Sequence, residues 1–251
     1  MARQVGIIKF EGQMGGVSFY KTAEDGYLAR TKGGVDADRI KNDPNFARTR
    51  ENGAEFGRAG AAAKLLRQAF RALIVNGADS RMTSRLTKVM MRVIQADATS
   101  QRGERNAIDG EAELLEGFEF NENGKLGQTF YAPFAPVIDR AGGTLGVSVP
   151  AFVSGNMIAP PGGATHFRLV TAGAEIDFGT GEYLVNTATS EALAISPLLT
   201  PVQALEILVS PGSTKPLFLL FGIEFLQLVN GQMYSLRNGA YNALSLVAVS
   251  G

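Results

Sequence analysis

The most regular chemistry-bearing pattern in the chain is a set of cations between positions 64 and 92. Arg81, Arg85, Lys88 and Arg92 fall at i, i+4, i+7 and i+11, each one position before Met82, Leu86, Val89 and Val93. One residue turns about 100° around a helix, so this spacing predicts a positive stripe beside an apolar one. Lys64, Arg67 and Arg71 add a second basic group on a preceding helix. Such a face suits three uses: a salt-sensitive phosphate track on nucleic acid, a docking surface for an acidic partner, or plain solvation. Stacking aromatics are not interleaved with the cations and no nucleic-acid recognition motif accompanies them, yet all three uses stay open.

Other reactive groups are sparse. The sequence has no Cys, which excludes disulfides, thiolate nucleophiles and thiolate metal sites. A single His, His166, rules out paired histidine acid–base catalysis and multi-histidine metal binding. Glu111, Glu113, Glu116, Glu119 and Glu122 form an acidic run, read as a solvated face rather than a carboxylate pair or a hard-metal site. Asp36, Asp38 and Asp43 lack the glycine and terminal Glu of a calcium loop. Gly124-Lys125 continues into Leu126 and makes no phosphate loop. Gly142-Gly143 and Gly179-Thr180-Gly181 precede no helix, as a dinucleotide site requires, and no Gly-x-Ser-x-Gly elbow occurs. No catalytic, cofactor or metal residue, and no small-molecule substrate, is expected.

Positioning these groups requires two kinds of structure. Val5–Phe10, Gly16–Tyr20 and Tyr27–Arg30 are short β-prone runs between Gly-containing breaks, predicting a meander that must rest on something else to be stable. Asn42-Asp43-Pro44 marks a helix start, with apolar positions continuing to about Val75. Gly53, Gly57 and Gly60 on that helix predict a face where another backbone approaches closely. Asn76-Gly77 ends it, Asp79 or Ser80 caps the next, and Met82, Leu86, Val89, Met90 and Val93 give that second helix its apolar stripe, making a helical hairpin.

After residue 107 the pattern turns to β. Asn123-Gly124 and Asn230-Gly231 sit between apolar runs as hairpin signals. Further strands are expected at Thr144–Val149, His166–Thr171, Ala174–Phe178, Tyr183–Asn186, Ala204–Val209, Leu217–Leu226 and Ala243–Val249. About eight short strands with regular turn signals predict an antiparallel sandwich resembling immunoglobulin or fibronectin type III domains. The expected fold is α+β: a basic β meander and helical hairpin over 1–107, then an acidic sandwich over 108–251.

The formal net charge of zero conceals a division. Residues 1–107 hold 19 Lys+Arg and 11 Asp+Glu, or +8, whereas 108–251 hold 5 and 13, or −8. Chains divided this way meet polyanions, or meet copies of themselves head to tail. The start of the chain carries no secretory pattern, and the most apolar stretch, Leu217–Val229, is short for a membrane span, which needs about 20 residues. A cytoplasmic protein, or a component of a particle assembled there, is expected.

The segments Gly15-Gly16-Val17-Ser18-Phe19-Tyr20, Gly26-Tyr27-Leu28-Ala29-Arg30-Thr31-Lys32-Gly33-Gly34 and Arg48-Thr49-Arg50-Glu51-Asn52-Gly53-Ala54-Glu55-Phe56-Gly57 resemble an uncharacterised family common in Bacteroidota genomes. The likeness covers roughly the first 75 residues. It implies a bacterial host, or a phage-like particle in one, and carries no known activity or catalytic residue. The expected role is a non-enzymatic structural subunit forming homo-oligomers such as filaments, tubes or phage-like particles. Its contacts would use Lys64, Arg67, Arg71, Arg81, Arg85, Lys88 and Arg92. The alternatives are nucleic-acid binding through those residues, or a carbohydrate- or peptide-binding sandwich using Tyr183, Tyr234 and Tyr241.

Overall fold

The computed structural model describes residues 2–31 and 33–251, and the chain divides into two compact units, 1–50 and 51–251. The first unit holds a four-stranded antiparallel sheet of β1 (Ala2–Arg3), β2 (Gly12–Met14), β3 (Val17–Thr22) and β4 (Gly26–Thr31), in the order β1-β4-β3-β2. A short helix α1 (Ala37–Asn42) and a 3-10 turn over Pro44–Phe46 follow, with the Asp43 side chain accepting from the Asn45 amide as the proline signal foretold. Val5–Phe10 is not a strand. It is a bent loop, and the strands flank it at Ala2–Arg3 and Gly12–Met14. Leu28 is the one apolar side chain of this unit's described residues that is buried. Strands this short, without a core, do not stabilise themselves.

In the second unit helices cover one face of a sheet. Helix α2 (Ala47–Ala69) begins in the last residues of the first unit, and α3 (Arg71–Gly77) and α4 (Met82–Gln95) follow. The expected helix runs unbroken through Asn52-Gly53, where its sequence allowed a split, and breaks instead at Phe70, whose φ of −95° and ψ of 16° turn the chain and whose ring is buried. The buried residues of α4 are Met82, Leu86, Met90, Val93 and Ile94, close to the stripe its spacing predicts. Gly77 takes no left-handed cap conformation. A Cβ there would lie 3.3 Å from Leu244 Cβ, so its glycine lets the helix end approach the sheet.

A 3-10 turn over Ala112–Leu115 and one-turn helix α5 (Leu126–Thr129) lead into β5 (Ala135–Asp139) and β6 (Thr144–Val149). One-turn helix α6 (Ser154–Met157) precedes β7 (His166–Ile176), β8 (Tyr183–Thr189), β9 (Leu193–Ala194) and β10 (Gln203–Leu208). The chain ends in β11 (Leu217–Val229), β12 (Gln232–Ser235) and β13 (Ala243–Ser250). The larger antiparallel sheet has six strands, with β7 and β11 at its centre, and the smaller has the order β10-β6-β5. Leu145, Val147, Leu205 and Ile207 of the small sheet share a core with Phe167, Leu169, Leu219 and Phe221 of the large one. On the opposite face Val170, Ala172, Phe218 and Leu246 share a core with Leu66, Phe70, Leu86 and Met90 of the helices. The expected boundary at 107/108 therefore falls inside a unit whose helices and sheet bury one another.

Burial on both faces explains why β7 and β11 read as unbroken apolar runs rather than alternations. Gly173 does not split β7. A Cβ there would sit 3.1 Å from Ile207 Cγ2 and 3.2 Å from Leu145 Cδ2, so the glycine admits the second sheet. Asn230-Gly231 turns β11 into β12 with both φ values positive, 50° and 79°, the requirement of a two-residue hairpin. Asn123-Gly124 makes no hairpin: Glu119 bridges to Ser245, and Leu126–Thr129 is helical. A Cβ on Gly124 would come within 2.7 Å of Tyr241 O, so close approach is what its glycine serves. Among the described residues no helix is long and apolar enough to cross a membrane.

Candidate functional site

Helix α4 carries Arg85, Lys88 and Arg92 to the wall of a cleft of about 420 Å³. The other wall is the segment after the 3-10 turn, which supplies Glu116, Glu119, Glu122 and Lys125, with Val89, Leu114 and Phe118 as apolar lining. Three cations of the predicted stripe thus face three acids of the predicted acidic run within one chain. A fourth cation, Lys125, was hidden in the sequence because Asn-Gly-Lys reads as a turn.

Arg85 is a structural clasp. Its guanidinium donates to Glu119 O at 2.6 Å and Phe120 O at 3.3 Å, pairs with the Asp79 carboxylate, and lies 3.4 Å from Glu122 Oε1. Its Cζ stands 5.4 Å from the Phe118 ring centre. Asp79 also accepts from the Arg81 amide at 2.6 Å and the Glu122 amide at 2.9 Å. Burial works against the charge on Asp79, but these two amides and Arg85 outweigh it and hold the carboxyl below its ordinary range. Glu119 behaves oppositely. Burial pushes its carboxyl up, although the Leu126 amide, 3.1 Å from both oxygens, and the charges of Lys125 and Arg85 pull the other way. Glu122 also reaches Lys125 at 3.8 Å. The acidic run is therefore only partly a solvated face: Glu111 is exposed, Glu113 accepts from the Gly251 amide, and Glu119 and Glu122 are engaged.

The remaining predicted cations separate. Lys88 and Arg92 are exposed in the cleft, and Arg71 and Arg81 are exposed elsewhere; none of the four makes an ion pair among the described residues. Arg67 donates to Ala63 O and to Thr83 Oγ1, tying α2 to α4. Lys64 lines a different cavity with Arg58, Gln68 and Phe178. Two of the seven are thus engaged within the chain, Arg67 with Ala63 O and Thr83 and Arg85 with Asp79, Glu122 and two carbonyls.

Gly53, Gly57 and Gly60 do not make the expected packing face within this chain. A Cβ on any of them would meet nothing within 4 Å, and the buried side of α2 is built from Ala59, Ala62, Ala63, Leu66 and Ala69 instead. Alanine's single methyl still lets elements pack closely, and it favours the helix by about 1 kcal/mol per position over glycine. His166 opens β7 with Nδ1 2.9 Å from Thr165 Oγ1. Tyr183 and Tyr241 line separate cavities and Tyr234 lies on β12, so the three tyrosines do not converge. Among the described residues no group of three or more His, Cys, Asp or Glu is arranged to hold a metal ion.

A second feature, not foreseen as a site, lies in the first unit. Gln4 closes a loop: its amide nitrogen donates to Phe10 O at 3.1 Å and Leu28 O at 3.0 Å, and its Oε1 accepts from the Phe10 amide at 2.8 Å. Lys9 donates to Gln4 O, and the Phe10 ring rests 5.8 Å from that of Phe19. Apolar side chains project from this loop: Val5 is 86% exposed, Ile7 103% and Ile8 73%. The β-prone composition of 5–10 was visible in the sequence, but its closure by one glutamine was not. No protein-family model matches the chain, and no curated protein matches it.

Proposed function

We propose that the protein is a non-enzymatic structural subunit that assembles head to tail with copies of itself. The observation that carries this reading is the first unit, which among its described residues buries one apolar side chain while Val5, Ile7, Ile8, Phe10 and Met14 stand in solvent. Exposed apolar clusters of this kind mark interaction surfaces. Burying Val5, Ile7 and Ile8 is worth about 1.5–3 kcal/mol each, whereas association costs about 4–15 kcal/mol. The loop tip alone is therefore marginal, and a stable contact must also bury Phe10 and Met14 or recruit charge. The free cations Lys88 and Arg92 and the −8 half of the chain supply that charge.

In this reading the second unit is a sandwich of two antiparallel sheets, a view supported by the apolar side chains of Leu145, Val147, Phe167 and Leu219 between them. The helical layer on the far face of the larger sheet distinguishes it from a plain immunoglobulin or fibronectin type III arrangement. Nucleic-acid binding is the second reading, favoured by Arg71, Arg81, Lys88 and Arg92, which make no ion pair among the described residues. It is weakened by the three acids that share the cleft, since a phosphate track needs uncompensated charge.

Light scattering with negative-stain microscopy tests the assignment. Ordered particles well above the 26.6 kDa chain mass are expected, and a monodisperse monomer at high concentration and low salt overturns it. Retardation of mixed-sequence DNA that weakens steeply with salt, without particles, would favour the second reading.

A further inference from the structure

The register of the small sheet places Val137, Gly146 and Glu206 side by side across β5, β6 and β10 on the face turned away from the core. A Cβ on Gly146 would lie 2.9 Å from Leu205 O, so no side chain fits there. With Ala204 and Ser148 as neighbours, the result is a hollow of about 370 Å³ with a small, apolar floor. Its rim carries Asp139 and Glu206, neither of which makes an ion pair among the described residues. The adjacent Arg140 is turned to the carbonyls of Ser213, Lys215 and Ser250 and does not neutralise them.

We propose that the Gln4-closed loop of one copy seats in this hollow of a second copy, Ile7 and Ile8 entering over Gly146 while Arg3 and Lys9 meet Asp139 and Glu206. This rests on the self-assembly reading above and names its contact. Three observations select the occupant. The loop presents two isoleucines largely in solvent, which the floor between Val137 and Ala204 can cover. The charges are complementary: residues 1–10 carry Arg3 and Lys9 and no acid, and the rim carries two acids. The loop is already closed by Gln4, so little ordering cost attends its docking. Knob and hollow lie on different parts of the chain, so the contact is heterologous and generates a ring if the rotation closes and a filament if it does not.

The chain has no native cysteine, which makes cross-linking specific. Ile7→Cys and Ala204→Cys are made as separate full-length proteins, mixed, and mildly oxidised. A disulfide-linked dimer at least tenfold more abundant in the mixture than in either protein alone is expected. Ala204→Glu, at an exposed position, should raise the concentration at which particles form at least tenfold while leaving the circular dichroism spectrum unchanged. If the unaltered protein assembles but the mixture gives no such link and Ala204→Glu assembles normally, this contact is wrong and the self-assembly reading stands. If the unaltered protein remains a monomer in every condition, both fail.

Discussion

Replacing Asp79 by asparagine should loosen the seat of helix α4 on the segment around Phe120. The side chain is 10% exposed and its carboxylate serves the Arg81 amide, the Glu122 amide and the Arg85 guanidinium at once. Asparagine keeps the shape but turns one acceptor into a donor facing other donors. Hydrogen bonds to a charged partner contribute about 1.5–3 kcal/mol each. Arg85 keeps Glu119 O, Phe120 O and Glu122, so it is not left as an orphaned charge. The loss is then that of one to two such bonds, roughly 1.5–6 kcal/mol. Urea unfolding at pH 7 should show a lower midpoint with an unchanged slope. Because the folded-state carboxyl lies below its ordinary value, its contribution is complete above the unfolded value of about 3.9 and is lost as pH falls through the folded one. The gap between the two proteins should thus be constant from about pH 7 to 5 and narrow in stronger acid. A gap below about 0.5 kcal/mol at neutral pH, or one that widens on acidification, would refute the clasp.

Three further outcomes are expected. Phe221→Ala removes a fully buried ring that lies 4.9 Å from Phe134 and 5.7 Å from Phe130, and should cost about 3–5 kcal/mol in chemical denaturation. Gly173→Leu forces a side chain against Ile207 and Leu145 between the sheets and should cost about 1–3 kcal/mol, read as a lower thermal midpoint. Lys88→Gln with Arg92→Gln should leave stability within about 0.5 kcal/mol, since both are exposed and neither makes an ion pair among the described residues, while raising the concentration needed for assembly; light scattering across a salt series checks this. Reversing Arg85 in place of these would test folding, not assembly, because its partners are internal.

Elements whose cause is local were legible in the chain itself. The stripe of Met82, Leu86, Met90 and Val93 specifies α4, the apolar run from Leu217 specifies a strand buried on both faces, and Asn230-Gly231 specifies its hairpin. A helix period, a strand composition and a left-handed turn are each decided within a few residues. Strand β5 is not among the strands expected from the sequence; it lies at the edge of the small sheet, where its Pro136 is tolerated.

Contacts between distant segments were decided only by the tertiary structure. Glycines at 77, 124 and 173 look like breaks or turns in sequence, but each stands where another element passes close: a Cβ on Gly124 would clash with the backbone of Tyr241, and at 77 and 173 Leu244, Ile207 and Leu145 would have to shift to admit one. The opposed charges of the two halves of the chain suggested one molecule meeting the next, whereas Arg85 spends its charge on Asp79, Glu122 and two carbonyls of its own chain. Charge pattern and glycine content state what a residue can do. Which neighbour it meets depends on how helices and sheets share their apolar faces, and that sharing is a property of the whole fold.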